Sequence, residues 1–265
     1  MPIDPDPLFA LMARLCCIGL LLQTTEVLWN AGELREGRLF GWSATPPTRW
    51  RWPGFLYAYP LCRWLLVTRA ALALLGLGAD FGGAGGTWLL GGLVILQLYY
   101  NRRFRMLAGN CETLFLICLV AVWVGSLPGA SSRLKTGAMA FVAIHVGIAY
   151  AAAGVNKLRS WSWRSGARLL QVVSAGSYSM PRLAAVLQSH RGFALVLTWG
   201  VILLEVAFPL AVFLPTPVFW VILISGVSFH AGLAFAMGLH GFWWAFLAAY
   251  PSVWFIHGMM PTWIR

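Results

Sequence analysis

Eight apolar stretches, each close to the ~20 helical residues that a bilayer core of about 30 Å requires, recur along this chain and restrict its folding more than any other feature. They cover 8–28, 61–79, 84–100, 111–127, 135–155, 193–214, 217–238 and 241–258. Composition agrees. Of the 265 residues, 60% are hydrophobic and 10% charged, with a mean hydropathy of +0.74, whereas a soluble domain is about half apolar and a quarter charged. Fifteen Trp and sixteen Phe suit the boundary between hydrocarbon and headgroups. The expected fold is therefore all-α: a polytopic transmembrane bundle of about eight helices forming one domain over 1–265, without a separate soluble domain.

Charge sets the expected topology. The basic residues lie in short bursts between apolar runs, so the net charge of +11 points to anionic lipid headgroups and away from nucleic acid. Three connections carry most of it: 29–60 with Arg35, Arg38, Arg49 and Arg51 around Pro46 and Pro47; 101–110, reading NRRFRMLAGN; and 156–190 with Lys157, Arg159, Arg164, Arg168 and Arg182. All three fall on one side if every stretch spans, and the positive-inside rule makes that side cytoplasmic, with both termini outside. A bacterial cytoplasmic membrane is the expected location. Asp4 and Asp6, where a signal peptide would be basic, predict that the first run remains as a helix. Between Lys157 and Pro181, Trp161, Trp163, Leu169, Leu170, Val172 and Val173 mix with arginines, which predicts an amphipathic segment in the interface plane near 158–180.

Neither the cysteines nor the glycines mark a cofactor site. Cys16, Cys17, Cys62, Cys111 and Cys118 form no C-x-x-C pair and have no His at zinc-ligand spacing, so no metal is expected. Gly82, Gly83, Gly85 and Gly86 lack the Lys-Ser/Thr ending of a phosphate loop and read as a turn.

Ionisable groups at membrane depth are functional candidates by default. Arg14, Arg63, Arg69, Glu26 and Glu112 are satisfied most simply by interhelical ion pairs or by snorkelling. Glu205 stands mid-run in VILLEVAFPLAVF, and Pro209, four residues later, removes the hydrogen bond to its carbonyl, so a kink is expected there. Counted from the turn near Pro215, Glu205 lies about 15 Å deep and His230 about 20 Å deep, within reach of each other directly or through water. Such a pair serves a proton path, a ligand or a buried hydrogen bond. Lys157 closes the fifth stretch, His145 lies twelve residues before it, and lysine is scarce, two against seventeen arginines. An amine partly desolvated by Trp161 and Trp163 can serve as a base, and the alternative is a snorkelling interfacial lysine.

The stretches AYAAAGVNKLRSWSWRSG, LLEVAFPLAVF and FHAGLAFAMGLHGFWWAFLAAYPSVWF resemble the horizontally transferred transmembrane (HTTM) domain family, related to the membrane part of vitamin K-dependent gamma-carboxylase. The resemblance runs over most of the chain and is most specific between Tyr150 and Tyr250; Gly109, Asn110, Cys111 and Glu112 match only the small-polar-acid character of the family's earlier loop. Through Ala153, Gly154 and Lys157 it implies that Lys157 is a base acting on a hydroquinone, with Glu205 at the family's acidic position and His230 at its Phe-His position. It also implies a menaquinol or vitamin K-like hydroquinone as cofactor, with Trp161, Trp163 and His145 the residues to hold it.

Two departures limit what carries over. The carboxylase continues into a large soluble domain where this sequence stops at Arg265, and it works on the lumenal side, whereas charge places Lys157 in the cytoplasm. Three readings follow: a lysine-base membrane enzyme acting on a quinol or on a small or peptide substrate; a non-catalytic membrane partner in the maturation or assembly of a secreted peptide or another enzyme; and a transporter with Glu205 and His230 as its proton path, disfavoured because no inverted repeat is evident.

Overall fold

A computed structural model describes residues 4–44, 54–104, 110–175 and 180–261. Pro46, Pro47, Arg49 and Arg51 of the first basic connection, Gly109 of the second, and 176–179 of the interfacial segment lie outside the described residues. Among those described, every regular element is helical and no strand occurs. Eleven α-helices follow one another: α1 (Pro5–Trp29), α2 (Leu61–Leu77), α3 (Ala84–Arg103), α4 (Asn110–Gly125), α5 (Ser132–Arg159), α6 (Trp161–Arg164), α7 (Ala167–Ser174), α8 (Pro181–Ser189), α9 (Arg191–Ala207), α10 (Thr216–Met237) and α11 (His240–Met259).

The expected count of about eight spanning helices is not confirmed. Four of the described helical segments are long and apolar enough to cross a membrane: Pro5–Trp29, Ser132–Arg159, Arg191–Phe213 and Thr216–Met237. That is the make-up of a membrane protein. The other four expected stretches are helical but fall short for local reasons. Helices α2 and α4 have 17 and 16 residues, α3 ends in Arg102 and Arg103, and α11 carries Trp243, Trp244, Tyr250 and Pro251 along its length. Of the remaining three helices, α6 and α7 fall within the 158–180 segment expected to be interfacial, and α8 follows it. Val173, Ala184, Leu187 and Ala194 form a small core there, and Arg164, Arg168 and Arg182 stay exposed.

Local chemistry explains where the helices stop. Pro209 forbids continuation of α9, and the chain tightens into a 3₁₀ segment over Phe208–Phe213. Pro217 fits the first turn of α10, and Gly238 ends it with φ +71°, its N–H bonded to the Ala234 carbonyl at 3.0 Å.

The chain divides into two compact units, Asp6–Ala138 and Met139–Arg265 with the first residues of the chain. In the first, Leu34, Cys62, Leu66, Tyr100 and Phe104 form a buried cluster, and Trp42, Tyr57 and Tyr99 stack in series with centroids 4.7 and 5.3 Å apart. In the second, the inward stripes repeat every three or four residues: Met139, Val142, Val146, Tyr150 and Gly154 on α5; Ala194, Thr198, Ile202 and Glu205 on α9; Phe219, Leu223, Gly226, His230 and Ala234 on α10. The opposite faces present Ile144, Ile148, Leu203, Val221 and Ile224 outward, all exposed. Apolar faces of that extent suit hydrocarbon.

Candidate functional site

Helix α5 aligns Tyr150, Gly154 and Lys157 on one face, spaced by four and three residues. A Cβ on Gly154 would lie 2.9 Å from the backbone N of Val206 and 3.0 Å from the carbonyl carbon of Glu205. Only a glycine lets the two backbones approach so closely, a device frequent between membrane helices. One turn further along α5, Lys157 meets Glu205. Its Nζ donates to both carboxylate oxygens at 2.7 Å, with the lysine side chain 18% exposed and the glutamate 5%. The Nζ also lies 5.2 Å from the centroid of the Trp163 ring, which follows on α6. Pro209 contributes from the chain direction, since the change to 3₁₀ geometry begins three residues after Glu205.

A second polar group lies deeper in the same unit. The Tyr150 and Tyr250 hydroxyls are 2.7 Å apart, and Tyr150 Oη also lies 3.0 Å from His230 Nε2. The His230 ring stacks on Phe246 at 3.9 Å, and its Nδ1 is buried without a hydrogen-bond partner. Room for the hydroxyl pair comes from Gly226, where a Cβ would stand 2.9 Å from Tyr250 Oη and 3.1 Å from Tyr150 Oη. Phe208 stacks on Tyr150 with centroids 3.9 Å apart, so an aromatic layer follows directly after Glu205.

The sequence candidates thus divide. Lys157, Glu205 and Trp163 come together. His230 bonds to Tyr150, while Glu205 takes Lys157 as its partner. His145 is half-buried, its ring 6.5 Å from Phe141, and twelve residues place it about 18 Å along α5 from Lys157. Trp161 is exposed, with the Arg164 guanidinium 5.5 Å from its ring. Tyr150 and Tyr250 escaped notice in the sequence, although the seven-residue spacing from Tyr150 to Lys157 is the sign of a shared helix face.

An apolar cavity of about 350 Å³ lies in this unit between α5, Phe208–Phe213 and α11, with Ile148, Ala151, Phe208 and Pro209 in its wall. Trp161, Trp163 and His145 do not line it. Among the described residues no group of three or more His, Cys, Asp or Glu is placed to hold a metal ion.

The first unit has its own buried charge. Arg69 is fully buried and donates to the Leu20 carbonyl, Thr24 Oγ1, Gln23 Oε1 at 2.7 Å and Gln97 Oε1 at 2.6 Å, with its guanidinium carbon 4.2 Å from the Tyr100 ring centroid. Gln23 in turn donates to Glu112 at 3.0 Å. The interhelical link expected between arginine and glutamate is therefore relayed by a glutamine. Set against protein-family models, curated proteins and solved structures, the chain finds no match.

Proposed function

We propose that the chain is a multi-pass protein of the bacterial cytoplasmic membrane, of the HTTM type, whose Lys157–Glu205 pair is the acid–base centre of a membrane enzyme. Its substrate is a lipid-soluble hydroquinone, with a small or peptide co-substrate. One observation carries this reading: a two-point ammonium–carboxylate pair, nearly but not fully closed off, beside Trp163 at the end of a membrane-length helix. An ammonium held in this way is not yet a base. When an apolar substrate displaces the remaining water, the weaker screening lets the proton pass from Nζ to the carboxylate, which leaves a neutral pair. The free amine then accepts the proton of the substrate O–H while Glu205 retains the other. The cavity walled by Ile148, Ala151, Phe208 and Pro209 suits the apolar part of such a molecule.

The same pair supports a second reading. Both carboxylate oxygens are occupied and Gly154 brings the backbones together, as in a fastening between α5 and α9 in a non-catalytic maturation or assembly partner. Replacing both charges separates the two. Lys157→Met combined with Glu205→Leu removes the pair without stranding a charge. Purified in detergent and supplied with reduced menaquinone, an enzyme should lose at least ~100-fold in turnover while keeping its melting temperature. Full turnover in the double variant, or in Lys157→Ala, overturns the catalytic reading.

A further inference from the structure

Glu205 has little of its own helix beyond it. Pro209 has no N–H to offer the Glu205 carbonyl, and α9 gives way to the 3₁₀ segment at Phe208, three residues on. The aim of the carboxylate therefore depends on what holds Phe208. That residue is 2% exposed, and its ring lies parallel to Tyr150 within 8° at a centroid distance of 3.9 Å. Tyr250 packs against the same ring with centroids 5.6 Å apart, and a Cβ on Gly226 would come within 3.0 Å of it. The tyrosines that clamp Phe208 are the ones whose hydroxyls meet each other, and Tyr150 also meets His230.

Hydrogen-bond accounting gives this network a direction. If Tyr250 donates to Tyr150 and Tyr150 donates to His230 Nε2, both hydroxyl protons are used and the imidazole carries its own proton on Nδ1. Only Nδ1 is then left unpaired, as observed. In the reverse direction the Tyr250 O–H also lacks an acceptor among the described residues, and a further buried unpaired group adds to the cost. In the favoured direction His230 has no free lone pair: Nε2 accepts from Tyr150 and Nδ1 is already protonated.

We propose that His230 and Tyr250 are positioning residues for Glu205. They fix Tyr150, Tyr150 fixes Phe208, and Phe208 holds the end of α9 so that both carboxylate oxygens face Lys157. The effect on turnover rests on the acid–base reading of that pair. His230 itself moves no proton in the reaction, which separates it from the proton path that its depth in the sequence suggests.

The chain contains only two lysines, Lys135 and Lys157, so full-length protein labelled with ¹³C at lysine Cε and purified in detergent gives a resonance for each. His230→Leu and Tyr150→Phe should shift the Lys157 resonance and leave that of Lys135, in the first unit, as an internal control. Supplied with reduced menaquinone, both variants should lose at least ~10-fold in kcat, because small misplacements of reacting groups are costly, with KM changed by less than about twofold. His230→Gln keeps an acceptor for the Tyr150 hydroxyl but cannot titrate as imidazole does, and it should restore the Lys157 resonance and most of the lost kcat. A His230→Gln protein as inactive as His230→Leu overturns the proposal in favour of a titrating imidazole. So does a Lys157 resonance that stays in place in the variants; Tyr150→Phe, which keeps the ring, secures that reading if His230→Leu does not fold. A parent without quinol turnover whose Lys157 resonance still moves in Tyr150→Phe upholds the positioning and overturns the acid–base reading instead.

Discussion

Arg69 and Lys157 are both cations within helices of a largely apolar chain, yet their surroundings are opposite. Arg69 is fully buried, and amide, hydroxyl and backbone oxygens from α1 and α3 accept from its two terminal nitrogens, while its Nε has no partner. Lys157 is partly exposed at a helix end and has one carboxylate and one indole ring beside it. A guanidinium fixed by several neutral acceptors cannot give up its proton and has no route to a substrate, so it organises packing. An ammonium that shares its hydrogen bonds with a single carboxylate can exchange a proton with it, and partial exposure leaves an approach open. Burial alone therefore does not mark a reactive group; the number and kind of its partners, together with access, does.

The comparison breaks most readily at Arg69. Arg69→Met leaves the Gln23 and Gln97 carbonyl oxygens without their donor in a water-poor setting, and each such loss costs about 1–3 kcal/mol. A net destabilisation of about 2–4 kcal/mol is expected, measured by reversible unfolding in mixed micelles. Whatever activity the folded fraction has should stay unchanged per molecule. A variant as stable as the parent would show that the cluster does not hold the first unit together.

A smaller effect is expected at Gly154, and it sharpens the other half of the comparison. Alanine there would place a methyl group against the backbone of Val206 and Glu205, which cannot move aside as a side-chain tip would. The cost should be about 1–3 kcal/mol, with α5 and α9 pushed apart. The Lys157–Glu205 geometry should loosen with them, so turnover should fall by a larger factor than stability alone explains. Equal turnover per folded molecule would mean that the pair does not depend on this close approach.

Much of this was legible in the sequence, and the limits have physical causes. Hydropathy located the helices because lipid imposes a length on them, but the count of about eight spans is not confirmed: it does not register that α2 and α4 are short or that α11 is rich in Trp and Tyr. Pro209 announced the end of α9 because its missing N–H acts locally. Partner choice was harder. Depth counting brought Glu205 and His230 to similar levels, but depth says nothing about rotation about the helix axis, and rotation decides that Glu205 meets Lys157 while His230 meets Tyr150. The Gln23 relay was hidden for a similar reason, since neutral amides in apolar runs attract no notice until a buried charge needs them.

The smallest expected effect concerns a charge solvated by water, which calibrates the two in apolar surroundings. In the connection after α1, Glu36 Oε1 accepts the Trp42 N–H at 3.2 Å and Oε2 accepts the Ser43 N–H at 3.0 Å. Hydrogen bonds from the Ser43 side chain and from these amides hold its carboxyl below the usual carboxylate range. A carboxyl group lowered on folding contributes stability above its unfolded value and loses it as pH falls through the lowered value. Acid should therefore release this turn only below the range in which an ordinary glutamate titrates, while the direct contacts of Arg69, whose acceptors are neutral, stay intact. Amide NMR shifts of Trp42 and Ser43 in micelles would follow the titration. Glu36→Gln should shift both resonances at neutral pH and abolish their acid transition, with almost no change in melting temperature because the group is exposed. A large drop in melting temperature would instead mean that this aqueous connection bears load comparable to the buried clusters, and the contrast between solvated and buried charge would need redrawing.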